Sequence, residues 1–194
     1  MTNAVVLKTI PLMRHLNTTE LEAGLSHIRE APKDAGVLRL IVRRPEMNQR
    51  EVLPEAKLDL VEGLVGDNWK TRGSGRTDDG SAHPDMQLNV MSARVISLIA
   101  QEPENWSLAG DQLYIDLDIS AENLPIGARL KVGSAVIEVT PPPHTGCHKF
   151  VSRFGLEAMK FVNSDRGREM RLRGLNAKVI QSGTICVGDE ISKV

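Results

Sequence analysis

Cysteine is scarce: only Cys147 and Cys186 occur in 194 residues. Two thiols in a chain of this length do not make a disulfide scaffold, so a reducing compartment is expected and each thiol is either inert or used for chemistry. Long apolar runs are missing as well. The stretch 4–13 is interrupted by Lys8 and Pro11 and stops at Arg14, short of the roughly 20 residues a helix needs to cross a bilayer. It also lacks the basic start and small-residue cleavage site of a secretory signal, and the expectation is a cytoplasmic protein without a membrane segment. Charge of one sign is absent too: 24 basic and 25 acidic residues leave −1, which removes any whole-chain attraction to nucleic acid or an anionic membrane. No fixed-period repeat is visible, which excludes solenoids and propellers.

What remains is an ordinary globular composition, 41% hydrophobic and 25% charged, in a chain long enough for one domain with a small extension. A first helix is predicted from the capping-box spacing of Thr19 and Glu22, with Leu21, Leu25 and Ile28 on one face and Pro32 as its stop. Alternation predicts a strand over 37–43, a weaker one over 56–61 and another over 86–91, the last leading into a short helix capped by Ser92 and stopped by Pro103. Residues 66–84, rich in Gly, Asp, Ser and Thr, read as one long loop. From 113 to 139 the pattern is all strand, with a tight turn at Gly133-Ser134. A helix over 156–163 and a closing hairpin turning at Ser182-Gly183 complete the reading. Gly66, Gly110 and Gly188, each followed by Asp, mark turns. Many short strands with a few short helices indicate a mainly β, α+β fold built as a closed or partly closed β-barrel.

The densest chemistry lies in Pro141-Pro142-Pro143-His144-Thr145-Gly146-Cys147-His148-Lys149-Phe150. Three prolines stiffen the backbone and Gly146 permits a close approach, so Cys147 is expected at an exposed loop apex. His144, His148, Lys149 and Arg153 would favour a thiolate if their side chains converge. A buried inert thiol is the alternative for Cys147, and Cys186, in a strand-like run, fits that plainer role. Zinc is not expected: His144, Cys147 and His148 are suitable ligands, but the paired knuckles of local zinc sites are missing. Between His144 and Arg173, seven cations (Lys149, Arg153, Lys160, Arg166, Arg168, Arg171, Arg173) face three acids. That window carries +4, leaving −5 for the rest of the chain, and the asymmetry suits an anionic ligand beside Cys147. The Gly-rich run 72–77 lacks the spacing of a phosphate-binding loop, and Asp78-Asp79 is weak ground for a cation site.

Taken in order, Gly110-Asp111-Gln112-Leu113, Asp116-Leu117-Asp118-Ile119-Ser120, Asn123-Leu124-Pro125-Ile126-Gly127, Leu130-Lys131-Val132-Gly133, the Cys147 segment and Arg171-Leu172-Arg173-Gly174 resemble the MOSC domain family. The family is named after the C-terminal domain of molybdenum-cofactor sulfurases. The resemblance covers residues 63–194, with 1–62 expected to supply a helix and strands that complete the barrel within a single domain.

The resemblance implies a barrel of the MOSC or pyruvate-kinase β-barrel type and a cysteine, here Cys147, that ligates molybdenum or carries sulfur as a persulfide. It also implies molybdenum cofactor (molybdopterin) held through an anionic group, with His144, Thr145, His148, Lys149, Arg153, Arg171 and Arg173 as the candidate contacts. No stretch resembles the aminotransferase-like domain of full sulfurases, so pyridoxal phosphate is not expected and a sulfur donor or electron-transfer partner would be required. Two functions stand. One is a molybdenum-cofactor-dependent oxidoreductase or sulfur-transfer protein acting through Cys147, extending to reduction of N-hydroxylated compounds. The other is a non-catalytic module that binds an anion or a partner, with an incidental cysteine.

Overall fold

The computed structural model describes residues 13–194. The chain runs through helices α1 (Thr18–Ala23) and α2 (Leu25–Arg29), then strands β1 (Ala35–Arg43), β2 (Glu51–Leu53), β3 (Glu55–Asp59) and β4 (Gly63–Leu64), and helix α3 (Trp69–Arg72). Strand β5 (Leu88–Ser92), helix α4 (Ala93–Ala100) and strands β6 (Leu113–Asp116), β7 (Arg129–Val132) and β8 (Ala135–Val139) follow. Helices α5 (His148–Asn163) and α6 (Asp165–Glu169) and strands β9 (Leu175–Gln181), β10 (Gly183–Cys186) and β11 (Glu190–Lys193) end it. Single 3₁₀ segments occupy Pro84–Met86 and Pro103–Ala109.

Seven strands close on themselves in the order β1, β6, β5, β9, β8, β7, β11, because β11 pairs back onto β1 through Val37 and Glu190. The pairings are antiparallel except for β5 and β6, which run parallel, so the result is a mixed, closed barrel. Closure leaves few edges to protect. The nine-residue β1 makes closure possible: it pairs with β6 along one side, while along the other β11 takes its start and β2 its end. A register shift between Leu38 and Leu40 bends it between these neighbours. A smaller sheet, ordered β10, β3, β4, adds Leu58, Leu64 and Ile185 to the barrel's apolar filling.

Two apolar layers share the walls. Inward residues such as Leu38, Val90, Leu113, Ile115, Ile137 and Val179 fill the barrel. Their outward neighbours Val42, Met91 and Tyr114 pack against Ile96, Phe150 and Phe154 of α4 and α5. All five residues of β5 are therefore buried, the condition expected of a parallel strand covered on both faces.

Several predicted boundaries move. The first helix is capped by Asn17, whose side chain accepts from the Glu20 amide while Glu20 returns to the Asn17 amide. The true capping box therefore lies two residues before the Thr19–Glu22 pair. The helix divides at Gly24, where Leu98 presses against the Cα and a Cβ would lie 2.4 Å from it. The loop 66–84 contains α3, anchored by the buried Trp69. Helix α5 begins eight residues earlier than periodicity suggested, and its pattern is broken by Gly155 at φ 87°, where a Cβ would collide with His15. The closing hairpin does not form: β9 pairs with β5 and β8, whereas β10 crosses to β3. Ser92 is the N-cap of α4 as expected, but its hydroxyl makes no cap bond. The Gly133-Ser134 turn does join the β7–β8 hairpin.

Gly36 sits where β1 presses on β6, and a Cβ there would lie 2.0 Å from the carbonyl oxygen of Asp116. Gly36→Ala is expected to lose about 1–3 kcal/mol of stability by urea unfolding. Gly75→Ala, with nothing within 4 Å, should stay within about 0.5 kcal/mol of the parent.

Candidate functional site

The site is built where the barrel's filling turns polar at one end. Asn89 of β5, Gln112 beside β6 and Asn176 of β9 are buried there and bonded to one another or to backbone. Asn89 Nδ2 donates to Asn176 Oδ1 at 2.7 Å, and Asn176 Nδ2 donates to the Pro142 carbonyl at 2.9 Å. The barrel wall thereby fixes the triple-proline loop.

Further along that loop His144 Nε2 lies 2.7 Å from Asp111 Oδ1, and Arg173 places its terminal nitrogens 2.7 Å from Asp111 Oδ2 and 3.1 Å from the Ala109 carbonyl. The Gly146 amide donates to Asn163 Oδ1 at 2.9 Å, and Asn163 Nδ2 returns to the Gly146 carbonyl at 3.2 Å. The next residue, Cys147, is the N-cap of α5, extended in backbone and exposed, its carbonyl accepting from the Phe150 and Val151 amides. A fixed loop thus presents a solvent-facing thiol.

Asp111 is wholly buried. Burial alone would raise its carboxyl, but Arg173 and His144 outweigh that effect and hold it below its ordinary value. His144 is pushed the other way from a usual carboxylate partner: burial first, then the Arg173 charge, lower its imidazole against the pull of Asp111. Asp111 is therefore ionised and His144 neutral near pH 7. An ionised carboxylate only accepts, so chemistry assigns the proton to Nε2 of His144 and leaves Nδ1 as a base. The Arg173 guanidinium also lies 5.0 Å over the Phe150 ring, tying the first turn of α5 to the same group.

Cys147 opens onto a cavity of about 220 Å³ whose lining includes Arg44, Arg50, Arg72, Lys149, Arg153 and Arg173. Arg44 and Arg173 are spent on Asp67 and Asp111. Arg50, Arg72, Lys149 and Arg153 form no ion pair with any described residue, and Glu46 is the only acid in the lining. Burial and neighbouring cations lower the Arg50 and Arg72 guanidiniums, the mark of positive charge gathered without its counter-ion. Three buried polar atoms around the cavity lack partners among the described residues: Arg50 Nε, Arg173 Nε and Asn68 Oδ1.

The structure distributes the expected contacts unevenly. Cys147, His144, Lys149, Arg153 and Arg173 line this cavity. Thr145 and Arg171 instead line a neighbouring one, the Arg171 guanidinium donating to the Leu124 carbonyl. His148 is exposed and lines neither. The described residues contain no group of three His, Cys, Asp or Glu able to hold a metal ion, and Asp79 is occupied in a turn with the Ser81 amide. Cys186 lies far off in β10, its sulfur near Glu55.

The MOSC domain profile matches residues 77–192. The chain belongs to the MOSC family. Its fold is shared with three solved structures. A hypothetical protein is 20% identical, with TM-score 0.55, over 87% of this chain and 70% of that one. The YUAD protein from Bacillus subtilis is 14% identical, with TM-score 0.55, over 81% and 94%. YiiM from Escherichia coli is 19% identical, with TM-score 0.51, over 81% and 69%. No curated protein matches the chain.

Sequence reading did not reach Arg44, Arg50, Asn68 or Arg72, which precede the MOSC match and meet Cys147 only in space. Asp111 was visible as a turn residue after Gly110 and as part of the Gly110–Leu113 segment that resembles the MOSC family, but not as a partner of His144 or Arg173. In this MOSC domain the depressed imidazole has a thermodynamic consequence. The unfolded chain takes up a proton on His144 near its ordinary value of 6.5, the folded chain only at lower pH, so stability present above that value is lost as pH falls. Urea midpoints should decline between about pH 7 and pH 5, and His144→Gln, which retains a donor to Asp111, should flatten that decline. Parallel pH curves for the two proteins would refute the assignment.

Proposed function

We propose that this MOSC protein holds molybdenum cofactor in the cavity beside Cys147, with the Cys147 thiolate as the protein's own ligand or sulfur carrier. The observation that carries the reading is one exposed thiol on a fixed loop over four cations that have no acidic partner among the described residues. Such a wall attracts an anionic group strongly, because the guanidiniums are already partly desolvated. The residues fit the cofactor in two further respects. Orphaned donors at Arg50 and Arg173 stand near an orphaned acceptor at Asn68, suiting a ligand that has both acceptor oxygens and an N–H edge. A single thiol is also too few protein ligands to capture a bare metal, so the metal must arrive with ligands of its own.

When bound, the cofactor supplies the redox or sulfur chemistry. Arg50, Arg72, Lys149 and Arg153 neutralise its anionic part. Neutral His144, lining the same cavity as the thiol, offers a base there, and Asp111 keeps the imidazole in one tautomer. As a sulfur carrier, the Cys147 thiolate attacks the outer sulfur of a donor persulfide, the donor's S–S bond breaks, and the donor leaves as a thiolate. A sulfur donor is then one required partner, and an electron-transfer protein is the partner if N-hydroxylated compounds are reduced. Both cysteines are free, which suits a reducing cytoplasm. No helix among the described residues is long and apolar enough to cross a membrane.

Wild type and Cys147→Ser, produced in a host that makes molybdenum cofactor, should differ. Near-stoichiometric molybdenum by elemental analysis, or one reductant-removable sulfur by intact mass, is expected in wild type alone. Joint Arg50→Gln and Arg72→Gln substitution should lower molybdenum occupancy by about tenfold. Folded proteins that all carry neither would leave a non-catalytic anion-binding module.

A further inference from the structure

His144 and Arg173 also line a second cavity, about 280 Å³, from which Cys147 and every other residue lining the Cys147 cleft are absent. Besides Arg173, which is spent on Asp111, its cations are Arg168 and Arg171, and no Asp or Glu lines it. The Arg168 side chain makes no hydrogen bond or ion pair with any described residue. Arg171 is held in the left-handed region at φ 48°, a conformation strained for a long side chain that persists only where surrounding structure enforces it. Here its guanidinium donates to Leu124 O, so the strained backbone and the carbonyl together fix a half-buried cation at the cavity wall.

The remaining walls are different in kind. Pro141, Pro142 and Pro143 supply rigid ring faces, and Ile126, Val162 and Leu175 extend them. Ile126 is 61% exposed, an apolar side chain left facing water at the cavity's edge. A simple inorganic anion would use the arginines and gain nothing from those walls. A neutral apolar molecule would cover the arginines without compensating them. A molecule that satisfies both has an apolar body and one anionic end.

We propose that this cavity is a second ligand site, separate from the Cys147 cleft, for an organic anion with a flat or compact apolar body, such as an aromatic carboxylate, held by Arg168 and Arg171 and packed on the triple-proline loop. The site does not depend on a cofactor occupying the neighbouring cleft. It does border His144, so a molecule bound there would touch the imidazole whose other surroundings include Cys147.

Titration of the full chain with 2-naphthoate, followed by calorimetry, tests this against two controls, neutral 2-naphthamide and inorganic phosphate. Saturable one-to-one binding of naphthoate is expected, with naphthamide and phosphate each weaker by about tenfold or more. Joint Arg168→Gln and Arg171→Gln substitution should weaken naphthoate by a similar factor, and Ile126→Asp, a change at an exposed position that leaves both arginines in place, should also weaken it. Arg50→Gln, in the other cleft, should leave it within about twofold, and the Arg168/Arg171 variant should keep wild-type molybdenum content. Absence of saturable binding overturns the proposal, as does equal affinity for acid and amide or for naphthoate and phosphate. Loss of naphthoate in Arg50→Gln, or of molybdenum in the Arg168/Arg171 variant, would assign the cavity to the cofactor cleft and overturn it equally.

Discussion

The Asp111 carboxylate, sealed from water, holds together the loop, the helix and the barrel rim. An isolated charge at that depth would be prohibitively costly. It is tolerated because Arg173 from the segment before β9 and His144 from the loop after β8 both reach it, and because Arg173 closes over Phe150 in α5. Three segments distant in sequence are thereby committed to one geometry. A buried pair of this kind is weak support for net stability, since desolvation offsets much of the attraction, but removing one partner strands the other. Its value lies in specifying a single arrangement. The thiol of Cys147 has no anchor of its own, and its position is inherited from Asp111, Asn163 and Asn176.

The same interaction divides the surface. His144 and Arg173 form a partition with a cavity on either side. One side carries the thiol and a crowd of unpaired cations, and the other carries proline rings and two arginines. Of the two groups that line both cavities, the neutral imidazole is the one that is not permanently charged.

The barrel was legible in the sequence because its strands obey a period of two and its turns carry glycine at positive φ, as at Gly66, Gly110, Gly133 and Gly188. Pairing was less legible. The β9–β10 segment has the local look of a hairpin, yet Ile185 is needed under β3, and the apolar demand of the small sheet overrides the local turn. Helix α5 was shortened because Gly155 interrupts its apolar stripe, whereas in space the kink simply makes room for His15. Of the site, the proline-rich loop and its cysteine were conspicuous by composition. The cation set was only half visible: Lys149 and Arg153 follow the thiol in sequence, but Arg50 and Arg72 arrive from across the barrel. Arg171 alternates with Arg173 as if on one face, but its left-handed backbone turns it to the other cavity.

One division of labour follows from where these residues fall along the chain. The thiol, its histidine and their buried carboxylate all lie within the 77–192 stretch that matches the MOSC domain. Arg44, Arg50, Asn68 and Arg72 come before it, carried largely by the turn between β1 and β2 and by the short α3, with Met47 and Asn48 exposed at the mouth of the cleft. The thiol and about half of the cations around it therefore lie within the matched stretch, while the rest of the cleft wall comes from a separate piece of sequence. Lengthening or recharging that turn would reshape and recharge the cleft wall while leaving the loop that carries the thiol, and the Asp111 contacts that fix it, untouched.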